Sequence, residues 1–315
     1  MTQWAFTPSQ PGVARSIASW QVTQHNHEAY QIDVSWPLTW SSPMEDDSVA
    51  NVIYLVDGNA LFLTATETLR RRQSQSHRRQ EPQPEPGTVV VAIGYPLTDS
   101  VFSLRRSYDL TPPCPDYTPP PGPDGVPKLD EAHGGADEFL SFIMDVVQPF
   151  IQRDVFPRVS FARTALFGHS YGGLFVLHTL FTRPSAFDVY LAASPSVWWN
   201  ARYVLSEAER FCMCSGSADS NAASCPILHL SFGSREQAPV RGSGETLERF
   251  QVRQAAAEHR RMADNCRELQ AMLLESAGDR LRVLEVREYL GEDHGSVVAP
   301  ALSGAIALFS SVVRQ

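Results

Sequence analysis

The chain has 315 residues, a 43% hydrophobic content and a formal net charge of −9. That length supplies a sizeable core, as one large α/β domain or as two small ones. The negative balance excludes a generally basic nucleic-acid binder, and no apolar run is long enough to span a bilayer.

Residues 1–20 are weakly patterned and read as a loose arm, without the basic start and apolar core of a signal peptide. Residues 30–36 alternate apolar and polar, as in an edge strand. Residues 50–56 (ANVIYLV) form a nearly continuous β-rich run, as in a strand buried on both faces. The turn Asp57-Gly58-Asn59-Ala60 follows. Residues 61–72 read as helix, and 73–87 (QSQSHRRQEPQPEPG) as a solvated loop. Thr88–Ile93 is the next buried strand. A Pro- and Gly-rich insertion fills 111–136, and 137–155 carries the apolar spacing of an amphipathic helix. Further strands are expected at 164–167, 188–194, 226–232 and 281–289. A helix and a polar insertion fill 201–225, one long helix covers 245–277, and 297–314 closes the chain as an apolar helix. Strands alternating with helices mean a mostly parallel sheet covered on both faces, here as a single α/β domain.

Five cysteines, Cys114, Cys212, Cys214, Cys225 and Cys266, agree with reduced thiols in a cytoplasmic protein. Three cluster in 212–225, but no fourth ligand stands at a fitting spacing, so no metal site is expected. His25, His27 and His133 have no partner pattern and read as surface residues.

Chemistry concentrates after strands. Gly168-His169-Ser170-Tyr171-Gly172 joins a strand to an apolar helix. Small residues two positions either side of Ser170 permit the strained elbow that lifts a serine above the sheet. Glu236 and His294 follow two later strands. Serine, acid and histidine in this order is the arrangement of α/β-hydrolases. Ser170 is then the nucleophile, His294 the base and Glu236 the acid, with Asp264, Glu292 and Asp293 competing for the last role. Backbone N–H groups of Tyr171 and of Gly58 or Asn59 are expected to form the oxyanion hole.

Five stretches carry a family resemblance: YLVDGNALF (54–62), VAIGYP (91–96), RRSYDLTP (105–112), GGADEFLSFI with GHSYGGLFVLHTLF (134–143 and 168–181), and SPSVWW (194–199). Together they resemble the siderophore esterases, serine esterases of the α/β-hydrolase fold, and most of all the fungal branch acting on triacetylfusarinine C and fusarinine C. The resemblance covers about residues 28–310. It implies cleavage of ester bonds in a ferric siderophore, with iron belonging to the substrate and no cofactor. It matches Ser170, His294 and Glu236 to nucleophile, base and acid. Trp198, Trp199, Arg105 and Arg106 become candidates for substrate binding. A general carboxylesterase or thioesterase of the esterase D kind, and a non-catalytic siderophore-binding protein, are the alternatives.

Overall fold

The computed structural model describes residues 15–23, 28–44, 46–79, 86–117, 119, 131–213 and 225–312. The readings made for His25, His27, Cys214 and the central parts of both predicted loops lie outside these residues. In chain order the elements are β1 (Ile17–Val22), β2 (Tyr30–Ser35), β3 (Val49–Leu55), α1 (Gly58–Arg79), β4 (Gly87–Gly94), α2 (Arg106–Asp109), α3 (Ala136–Phe142) and α4 (Gln148–Phe150). Then come β5 (Ser160–His169), α5 (Tyr171–Thr182), β6 (Val189–Ala193), α6 (Trp199–Met213), β7 (Ile227–Gly233), α7 (Leu247–Arg260), α8 (Met262–Ser276), β8 (Val283–Tyr289) and α9 (Val298–Val312).

The strands form one sheet in the order β1-β2-β4-β3-β5-β6-β7-β8. β1 and β2 are antiparallel to their neighbours, and every pairing from β4 to β8 is parallel. Side chains alternate between faces along each strand. Val52, Tyr54, Leu166, Tyr190 and Leu228 therefore join one core with Phe139 of α3, Leu177 of α5 and Leu269 of α8. Ile53, Leu55, Ala165, Phe167 and Leu191 join the other, against Leu61 and Ala65 of α1 and Leu302 and Ile306 of α9. The central strands are buried on both faces, which is why they read as continuous apolar runs.

Five expectations are corrected. Residues 17–22 are not part of a loose arm but form edge strand β1, with Trp20 meeting Phe150 edge-on at 5.3 Å. β2 is consequently an inner strand. Helix α1 does not stop at residue 72 but runs to Arg79, because glutamine and arginine sustain a helix beyond its buried stretch. The expected helix 245–277 is two helices. Arg261 breaks it in a left-handed conformation (φ 46°), and Thr246 caps α7 by accepting the N–H of Arg249. Residues 137–155 are helical throughout, but the turns Ile143–Val147 and Ile151–Val155 are widened on either side of Pro149, which has no N–H to offer.

Candidate active site

β5 ends at His169, and α5 begins at Tyr171. Between them Ser170 is held at φ 61°, ψ −115°. A side chain at Gly168 would overlap the backbone of Gly172, and one at Gly172 would press on Val56, so both elbow positions require glycine. The Ser170 N–H is fixed to the carbonyl of Ala193 at 3.0 Å. Burial on the core side of α5 anchors the elbow: Leu174, Phe175, Val176 and Leu177 are fully inaccessible.

Two loops at the same sheet end meet this serine. β7 and β8 pair through Gly233 and Tyr289. Beyond that pair the loops are sewn together: the N–H of Ser234 donates to Tyr289, that of Arg235 to Glu292, and that of Gly291 to the Ser234 hydroxyl. Glu236 and His294 ride on these loops. His294 Nε2 lies 3.0 Å from Ser170 Oγ, and its Nδ1 lies 2.6 Å from Glu236 Oε2. With Nδ1 donating to the carboxylate, Nε2 is left free to accept the serine proton.

Glu236 is buried, and its second oxygen, Oε1, accepts the Ser194 hydroxyl and the Gly233 N–H, each at 2.6 Å. Two of the competing acids are engaged elsewhere. Asp264 bonds Gln237 and Arg261, while Asp293 accepts the N–H groups of Gly295 and Ser296. His169 lies against the His294 ring, tilted by 39° with centroids 4.6 Å apart. Burial, and then the neighbouring His294, hold its imidazole down at about 3, so at neutral pH it is an uncharged packing partner.

A cavity of about 370 Å³ opens over Ser170. Its walls include Tyr171, Ser196, Trp198 and four arginines, Arg106, Arg235, Arg253 and Arg260. Arg106 makes a two-pronged ion pair with buried Asp57 at 2.8 Å and lies over the Tyr171 ring. Arg253 is paired with Glu245. Arg260 lies over Trp198 at 5.2 Å, and neither Arg260 nor Arg235 meets a carboxylate among the described residues.

The four expected substrate contacts divide. Trp198 and Arg106 line this cavity, whereas Trp199 is 1% exposed, stacks on Tyr117, and belongs to the core under the sheet end. Arg105 points away, over Tyr30 and against Asp109, into a second cavity of about 1050 Å³ that contains none of Ser170, Glu236 and His294. Burial pushes the Asp109 carboxyl up to about 6, against the pull of Arg105 and two tyrosine hydroxyls. Tyr171 lines the cavity over Ser170, and Gly58 and Asn59 open α1; the Asn59 amide bridges the backbone N–H and carbonyl of Tyr95. Sequence reasoning missed Asp57, Ser194, Ser196 and the three arginines 235, 253 and 260. Asp57 and the serines lay in stretches already singled out, YLVDGNALF and SPSVWW.

A mostly parallel sheet in this strand order, with a serine elbow after its central strand, defines an α/β-hydrolase fold. Comparison supplies the family. Residues 27–274 match the family described as "Putative esterase", and the chain belongs to it. A protein of Emericella nidulans named siderophore enterobactin esterase is 65% identical over 99% of both chains. The siderophore triacetylfusarinine C esterase of Aspergillus fumigatus is 45% identical over 90% of this chain and 89% of its own. The solved structure of siderophore hydrolase EstA from Aspergillus nidulans superposes with a TM-score of 0.91 at 64% identity, covering 99% of this chain and all of its own.

Proposed function

We propose that this chain is a serine esterase that cleaves the ester bonds of ferric siderophores, releasing their iron. The observation that carries the reading is the unbroken hydrogen-bond chain Ser170–His294–Glu236 at the mouth of the cavity. In this reading Ser170 attacks the ester carbonyl as His294 takes its proton. The buried Glu236 carboxylate stabilises the imidazolium that results. The N–H of Tyr171, first in α5, and one from Gly58 or Asn59 receive the developing oxyanion. His294 then returns its proton to the leaving hydroxyl, and a water molecule repeats the sequence on the acyl-enzyme. One domain carries the whole reaction.

The relatives named for siderophore esters support the substrate class, and triacetylfusarinine C is the substrate carried forward from the sequence. A second reading, an anionic catecholate triester such as ferric enterobactin, is favoured by Arg235 and Arg260, which face the cavity without a carboxylate partner among the described residues. Four described cysteines, all unpaired, support a cytoplasmic location. No helix among the described residues is long and apolar enough to cross a membrane.

The test is incubation of iron-loaded triacetylfusarinine C and of ferric enterobactin with the wild type and with Ser170→Ala, read by mass spectrometry. Linear fragments from either siderophore, with the wild type alone, are expected. Cleavage of p-nitrophenyl acetate with both siderophores left intact would retain the mechanism and remove the substrate.

A further inference from the structure

We propose that Ser194 is a positioning residue that fixes the orientation of Glu236 and, through it, of His294. The proposal rests on the serine-esterase reading above. Ser194 directly follows β6, is fully buried, and stands at φ 43° with its N–H donated to the Ser231 carbonyl at 2.6 Å. Its hydroxyl reaches Glu236, 42 positions further along the chain. Together with the Gly233 N–H it occupies one carboxylate oxygen, leaving the other directed at His294 Nδ1. A carboxylate held in this way cannot swing off the imidazole without breaking two charge-assisted hydrogen bonds.

The backbone reveals what is maintained. A left-handed conformation is unfavourable for serine and easy for glycine. Glycine would relieve it, yet glycine has no hydroxyl to give. The strain is retained at the point where the chain must offer a donor to the acid. The same turn also meets the nucleophile. The Ser196 N–H donates to the Ser170 carbonyl at 3.1 Å, and the Ser196 hydroxyl lies 3.4 Å from Ser170 Oγ. Ser194-Pro195-Ser196 thus touches both ends of the hydrogen-bond chain.

A double-mutant cycle tests this, with p-nitrophenyl acetate as the substrate so that siderophore identity does not enter. The set is the wild type, Ser194→Gly, Glu236→Ala, the double variant, and Ser170→Ala. Ser194→Gly is expected to fold, to leave KM unchanged, and to lower kcat about ten- to a hundredfold, the usual range for a lost hydrogen bond to a charged group. On the Glu236→Ala background it is expected to cost nothing further. Wild-type kcat in Ser194→Gly, or an equal loss on both backgrounds, would overturn the proposal. Failure of both Ser194→Gly and Ser194→Ala to fold would also overturn it, by making the residue structural. Full activity in Ser170→Ala would instead remove the esterase reading, and this proposal with it.

Discussion

Beneath Ser170, helix α5 buries ten of its twelve residues. Across the cavity, α7 buries one of fourteen, Ala257, and leaves Leu247 and Val252 more than half exposed. Both helices border the same site. The floor carries groups that must keep hydrogen-bond distance to within a few tenths of an ångström. The roof carries Arg253, Ala256 and Arg260, long or small side chains that line the cavity away from the Ser170–His294 pair. Tight packing is concentrated where bonds change. The opposite wall is an element with few buried apolar contacts, which is the physical description of low local stability.

Breaking the floor has the largest expected effect. Ser170→Ala or His294→Ala should lower kcat for any ester about 10⁴-fold or more with the fold intact, and Glu236→Gln nearly as much, read by steady-state kinetics beside a thermal melt. Next comes the brace behind the elbow. His178 on α5 bonds Glu207 of α6 at 2.9 Å and Asp137 of α3 at 3.1 Å. Burial opposes its charge, but the hydrogen bonds to Asp137 and Glu207 outweigh it and lift the imidazole to about 9. That value lies above the one in an unfolded chain, so the brace is fully stabilising below about pH 6.5 and is lost as pH rises through about 9. His178→Gln should therefore cost about 3–5 kcal/mol at pH 7, since it strands the buried Glu207 charge. The gap in Tm from the wild type should narrow as pH is raised past 9.

Changes to the roof should be milder and selective. Arg235→Ala combined with Arg260→Ala should raise KM for an anionic ferric triester about tenfold. The same pair should leave kcat and the neutral ferric hydroxamate nearly untouched. The wild-type KM for the anion should also rise with salt, and that of the variant should not. The smallest effect concerns the helices themselves: amide hydrogen exchange should be faster along α7 than along α5 in the unliganded protein. Equal protection in both would erase the contrast.

The difference between floor and roof also governs what the sequence discloses. Ser170, Glu236 and His294 are legible because each follows a strand whose apolar run is unmistakable, and sheet register then brings them together. Ser194 is not legible, because its role depends on one left-handed residue turning a hydroxyl toward the loop after another strand. Trp198 and Trp199 are adjacent and alike in sequence, yet one walls the cavity and the other fills the core. Arg105 and Arg106 diverge in the same way, toward Asp109 and Asp57. The break at Arg261 carries neither glycine nor proline, and so the roof read as one uninterrupted helix.

The sewn loops after β7 and β8 have a consequence for descent. Between these ties α7 is an excursion that buries only Ala257, whereas α8 belongs to the core and β8 to the sheet. A lineage can lengthen, shorten or recharge that excursion while acid and base stay in register. New diets can thus be tried by rewriting one detour, with the inherited chemistry left alone.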